Sequence, residues 1–167
     1  MKRLLVTILT VSFLLAPHCA ATAEEQLTAL TFKTMYGVDG PFRGATNAIR
    51  GIAGDDLAWT VAHSAKGRLT TRGVVGIVVR GLVFKEGPAT GTNDEPTFRA
   101  VISCLTESGT GTPVVNVATV GFPASTTGDA NIAATITLPN PCVAPIIFIT
   151  GDDATKWFAV TGFENEE

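Results

Sequence analysis

The feature that most narrows the fold is a two-residue alternation of apolar and polar side chains that recurs, with short interruptions, from Trp59 to Thr161. In "ANIAATITL" Ile132, Ala134, Ile136 and Leu138 share one parity, and Asn131, Ala133, Thr135 and Thr137 share the other. Successive side chains of a strand point to opposite faces, so this run reads as a strand with one wet face. Spacing at the helical period is nearly absent. "GVVGIVVRGLVF", from Gly73 to Phe84, is apolar on both parities except at Arg80, which predicts a central strand covered on both sides. Further strands are expected at Leu27 to Phe32, Trp59 to Ala65, Arg68 to Thr71, Thr97 to Leu105, Val114 to Val120, Pro145 to Thr150 and Trp157 to Thr161. Clusters of Gly, Pro, Asn, Asp and Ser separate them, with no helical segment between. The expected fold is all-β: an antiparallel β-sandwich of about eight or nine strands, Ig-like or Greek-key in type.

The breaks carry their own chemistry. "TTRGVV" places Gly73 where a tight hairpin needs a positive φ, and "ESGTG", Glu107 to Gly111, is expected to turn the chain between the next two strands. Pro139, Pro141 and Pro145 bracket Cys142 and cannot donate to a ladder, which makes that segment an edge or a crossover. The least regular stretch, Met35 to Asp56, holds five glycines and no sustained period; one helical turn is expected near Asn47 to Arg50. Gly87 to Pro96 is a second long loop.

Residues 1–23 have the parts of a secretory signal: Lys2 and Arg3, an apolar run from Leu4 to Ala16, and small residues at Ala21-Thr22-Ala23. That run is shorter than the roughly 20 residues a membrane-spanning helix needs, so no transmembrane anchor is expected after cleavage. The mature chain, residues 24–167, is then one domain ending in the acidic tail Glu164 to Glu167, secreted, periplasmic or at the cell surface. The whole chain carries a net charge of −3. Losing Lys2 and Arg3 leaves ten basic against fifteen acidic side chains, a net of −5. Arg43, Arg50, Arg68, Arg72, Arg80 and Arg99 are scattered along the sequence, without the clustered stripe that a nucleic-acid backbone requires.

Export also fixes the reading of the cysteines. With Cys19 inside the signal, Cys104 and Cys142 remain, and an even count in an oxidising compartment means a bridge. The closed loop of about 39 residues is worth roughly 4 kcal/mol in chain entropy. No histidine adjoins Cys104 to activate it as a nucleophile.

Catalytic inventory is thin. His63 is the one histidine after residue 23 and shares parity with Trp59 and Val61, which predicts a packed, hydrogen-bonded side chain rather than a general base. No nucleophile elbow, zinc spacing or phosphate loop is present. Oxygen ligands for calcium are available in likely turns, at Asp55-Asp56, at Asn93-Asp94-Glu95 and at Asp152-Asp153; Asp94, Asp152 and Asp153 are the candidate ligands. Trp59, Trp157 and Tyr36 are the rings available to stack on a sugar.

The segments "VRGLVF", "FRAVISCL", "GFPASTTGDANI", "LPNPCVAPIIFIT" and "WFAVTG", with "AIRGIAGDDLAW" nearer the N-terminus, make the chain resemble small exported bacterial all-β proteins of unknown function. The resemblance implies no activity, cofactor or partner, and carries no catalytic residue onto this sequence. The expectation is an exported, non-enzymatic module that binds a protein or carbohydrate ligand or serves a surface or structural role. The alternatives are a secreted carbohydrate hydrolase using carboxylates of the two long loops, and a calcium-dependent adhesion module. Intact-mass spectrometry of secreted protein should find a chain starting near Glu24 that gains the mass of two hydrogens on reduction. Free thiols in the native protein would contradict both the compartment and the pairing.

Overall fold

The computed structural model describes residues 27–107, 111 and 113–162. The signal segment, the Glu164 to Glu167 tail and the centre of the turn expected at Glu107 to Gly111 lie outside these residues. Eleven strands are described: β1 (Thr28–Phe32), β2 (Met35–Gly37), β3 (Ala53–Gly54), β4 (Trp59–Thr70), β5 (Val74–Phe84), β6 (Thr97–Leu105), β7 (Val114–Ala118), β8 (Phe122–Pro123), β9 (Ala130–Thr135), β10 (Val143–Thr150) and β11 (Lys156–Thr161). One sheet runs β1-β4-β5-β9; the other runs β2-β11-β10-β6-β7, with β3 added beside β11 and β8 beside β6. All pairings are antiparallel except the short β3–β11 contact. The two sheets pack face to face as the expected sandwich, and Cys104 and Cys142 are bridged.

The alternation of the sequence explains which side chains fill the space between the sheets. Val75, Ile77 and Val79 of β5 and Ile132 of β9 face inward from the first sheet, and Ala100, Ile102, Ile147 and Ile149 face them from the second. Four aromatic rings join the layers. Trp59 lies 4.3 Å from Phe84 on its own sheet and stacks at 4.3 Å, nearly parallel, on Phe158 of the other; Phe98 meets Phe158 edge-on at 6.2 Å. Offset and edge contacts of this kind suit the aromatic quadrupole and add to the area they bury.

Several expectations need correction. The strands anticipated at Trp59 to Ala65 and Arg68 to Thr71 are one strand, β4, because Gly67 continues the ladder opposite Ile77. What disturbs the pattern is a bulge: Ala62 and His63 together oppose Gly81, whose φ of +73° accommodates the extra residue. His63 is therefore exposed rather than packed. Strand β5 is central, yet only Gly81 to Phe84 is buried on both parities; Val74, Gly76, Val78 and Arg80 stay half-buried on the outer face. The turn expected to be helical near Asn47 to Arg50 is a two-residue β-turn instead. Ile49 and Ile52 exchange both backbone hydrogen bonds at 3.0 Å around Arg50 and Gly51, which have φ of +51° and +79°, the geometry that matches strand twist. A single 3-10 turn forms earlier, at Gly40–Phe42, capped by Asp39.

The Arg50–Gly51 turn is the tip of a flap, residues 43–55, closed at its base by hydrogen bonds between Gly44 and Asp55 and between Gly54 and Gly44. The flap crosses the outer face of the larger sheet. Arg50 donates to the Ala144 carbonyl at the start of β10, and Asn116 on β7 donates to the Arg50 carbonyl. Val101, Ser103, Phe148, Thr150 and Trp157, which point away from the space between the sheets, are buried in consequence. Replacing Trp59 by Ala should cost about 3–5 kcal/mol in denaturant unfolding. A loss below about 1 kcal/mol would show that the rings do not hold the layers together.

Candidate functional site

The end of the sandwich where β4 begins and β5 finishes gathers loops from distant parts of the chain. Lys85 N–H bonds to the Ala58 carbonyl at 2.9 Å, Phe84 N–H to Thr92, and Asn93 N–H to Thr126 at 2.8 Å. Asn93 is 3 % exposed and organises this end. Its amide donates to the carbonyls of Glu95 and Ser125, both at 2.8 Å, while its oxygen accepts from Glu95 N–H at 3.0 Å. Glu95 is thereby held with its carboxylate over Gly151, close enough that a Cβ at residue 151 would lie 2.8 Å from one oxygen.

Around Glu95 stand its neighbour Asp94 and acids from two other segments. Asp55, at the base of the flap, accepts from the indole N–H of Trp59 at 2.7 Å and lies 3.9 Å from the Lys156 ammonium. Asp56 is paired more closely with Lys156, and its carbonyl accepts two bonds from Arg43. Asp152 pairs with Arg99 at 2.8 Å, and Asp153 caps the following turn by accepting from the Thr155 N–H and hydroxyl at 3.0 and 2.7 Å. Asp94 is exposed beside Glu95.

These surroundings drive the carboxyls apart in acidity. Burial first, and then the charges of Asp94, Asp153, Asp55 and Asp152, raise the Glu95 pKa above its ordinary 4.5. Asp152 is lowered by its hydrogen bond to Arg99, and Asp153 by the bonds it accepts from Thr155. On the neighbouring rim Asp39 is lowered by Lys85, and Lys156 is raised by Asp56.

The three candidate calcium ligands, Asp94, Asp152 and Asp153, do come to this end. Asp152 and Asp153 are engaged by Arg99 and Thr155, and among the described residues no three His, Cys, Asp or Glu side chains are spaced to hold one ion. The sugar-stacking platform is not assembled: Trp59 and Trp157 are each 2 % exposed within the packed layers, leaving only Tyr36 at the surface. Sequence reasoning named Glu95 only as one oxygen donor of a turn. Its central place depends on Asn93 and Gly151, and the one local signal was the Asn-x-Glu spacing that lets Asn93 bind its neighbour's backbone.

Two grooves lie elsewhere. One of about 670 Å³ runs past Thr71, Arg72, Asn140 and the half-buried Cys142 at the opposite end. The other, about 420 Å³, is open on the outer face of the smaller sheet, where Gly76 leaves a notch beside Lys66, Arg68 and Val78. Lys33 lines the same notch, so one basic side chain from the start of the chain joins the pair on β4. Among the described residues no helix is long and apolar enough to cross a membrane. Comparison with protein families, curated proteins and solved structures finds no match to this chain.

The raised pKa of Glu95 sets the sign of a pH effect. The folded protein binds that proton more tightly than the unfolded chain, so stability falls as pH rises from 4.5 through the raised value. Asp152 and Asp153 act oppositely, and their contribution is lost as pH drops below 3.8. Glu95→Gln should therefore melt above the wild type at pH 7 and together with it below about pH 4. Equal melting temperatures at pH 7 would show that Glu95 feels no crowding from its neighbours.

Proposed function

We propose that the protein is an exported, non-enzymatic binding module whose acidic loop end takes a cationic segment of a protein partner. The observation that carries this reading is the convergence of Asp55, Asp94, Glu95, Asp152 and Asp153, from three separate loops, at one end of a rigid sandwich. Clustered charge of one sign attracts and orients an oppositely charged partner before contact. Asp55, Asp152 and Asp153 are fixed by an indole, an ion pair and a backbone amide, and the Glu95 backbone is held by Asn93, which favours recognition by a preformed surface. Burial of both tryptophans removes the stacking surface a sugar ligand would use. The disulfide supports residence outside the cytoplasm, in a periplasm, at a cell surface or in the medium.

A secreted carbohydrate hydrolase is the second reading, favoured by one observation: Glu95 is pushed toward its protonated form while Asp152 and Asp153 are held ionised. Such a divergence is how a fold separates an acid from a base. Against it, Asp152 and Asp153 already serve Arg99 and Thr155.

Titration with a decalysine peptide at low salt, followed by amide chemical shifts, distinguishes the two. Binding should centre on residues 93–95 and 152–155, weaken with added salt, and drop about five-fold in the Asp94→Asn, Glu95→Gln double variant, at roughly half a kcal/mol per charge. Perturbations spread evenly over the surface, or an unchanged affinity in the double variant, would remove this reading. Polysaccharide cleavage that Glu95→Gln abolishes would replace it with the hydrolase.

A further inference from the structure

Strand β7 ends the larger sheet and, among the described residues, pairs only with β6. That pairing sorts its backbone. Thr106 N–H bonds to the Pro113 carbonyl at 3.1 Å and Thr119 N–H to the Ala100 carbonyl at 2.9 Å, and the register between the two strands holds without a shift. Successive residues of an antiparallel ladder turn their N–H and C=O to opposite sides. Val115 and Val117 therefore face β6, while Val114, Asn116 and Ala118 face away from it. These three are exposed, and among the described residues nothing bonds to their outward backbone groups. The Asn116 side chain is held by the flap through the Arg50 carbonyl, which leaves its main chain at the open edge.

We infer that this edge takes the same edge of a second copy, antiparallel, so that two larger sheets join into one across a two-fold axis. Open edges are normally blunted by charges, prolines or bulges, and β7 has none of these. The sequence holds no Asp, Glu, Lys or Arg from Ser108 to Gly128 and no proline between Pro113 and Pro123. The other sheet ends differ: β1 runs into Lys33, β2 has three residues, and β9 follows Asp129 and is bridged at Ala130 to Ala124. An antiparallel edge is the complement of its own copy, since each outward residue offers one donor and one acceptor. Being uncharged, it meets that copy without the repulsion that the chain's net charge of −3 sets up between acidic surfaces. Exposed valines lie along it, Val114 at 41 % and Val120 at 68 %, and the row Val114, Leu105 and Val143 carries apolar surface inward over three strands. One added strand pair buries little area, so the dimer is a weak one. The contact makes no use of the acidic loop end and stands whether or not that end binds a partner.

Sedimentation equilibrium of the wild-type protein should show monomer and dimer exchanging with a dissociation constant between about 10 μM and 1 mM. Amide hydrogen exchange should slow with concentration at Val114, Asn116 and Ala118 and stay constant at Val115 and Val117, whose N–H groups β6 already holds. Ala118→Pro removes an outward N–H while sparing the bonds to β6, and should fold and dimerise at least about tenfold more weakly. Val120→Lys places a charge on the edge at an exposed position and should have the same effect, which keeps the test valid if the proline variant does not fold. A protein that stays monomeric up to about 1 mM overturns the inference. So does association that Val120→Lys leaves unchanged, that grows beyond the dimer, or that added salt abolishes, since each of these puts the contact on another surface.

Discussion

The structure depends most on what Trp59 does at the start of β4. Its ring stacks on Phe158 across the sandwich and packs at a tilt against Phe84 beside it, so one side chain ties the two sheets together. Its backbone N–H bonds to the Val38 carbonyl, and its indole N–H donates to Asp55. Strand β2 comes so close that a Cβ on Gly37 would lie 2.1 Å from the Trp59 carbonyl oxygen. The packing of the layers, the entry of the flap and the placing of one carboxylate of the acidic end therefore share a single anchor. A buried tryptophan contributes area through its body and direction through its one polar atom. Here the direction is toward the loops.

What could be read in advance was what depends on near neighbours. The parity of Ile132, Ala134, Ile136 and Leu138 is a property of the strand itself, and all four pack against the core although β9 ends at Thr135. Strand β6 falls on Thr97–Leu105, as the alternation indicated, and the Gly73 turn has the expected positive φ. The pairing of Cys104 with Cys142 followed from compartment and count, and the bridge is present. The bulge at Ala62 and His63 was not legible. Its cause is Gly81, eighteen residues later, and a sequence window centred on His63 contains nothing that announces it.

The flap shows the same limit more sharply. Residues 43–55 have no apolar period because they build no face of their own; Ile49 and Ile52 contribute to a core made by β6, β10 and β11. Their conformation is selected by long-range partners: Ala144 and Asn116 at the tip, Trp157 and Lys156 at the base. A glycine-rich stretch with one Asn and one Arg at turn positions is compatible with several local structures, a helical turn among them. Tertiary contact decides which forms. The convergence of acids is legible only in fragments for a related reason, since Glu95, Asp55 and Asp152 are distant in sequence and meet through the ends of strands whose order no local pattern encodes.

The flap also joins two regions of opposite character. Its base supplies Asp55 and Asp56 to the acidic end, and its tip carries Arg50 over a sheet face rich in unpaired donors. A hairpin this short is marginal alone, so its order comes from whatever holds each end. At the base those forces are strong: an indole hydrogen bond, a backbone bond to Trp157 and an ammonium shared by two carboxylates. At the tip they are two hydrogen bonds and the packing of two isoleucines. The flap is thus held firmly at the acids and weakly over the sheet. Asp55 and Asp56 keep their positions through contacts of their own, whatever the tip does.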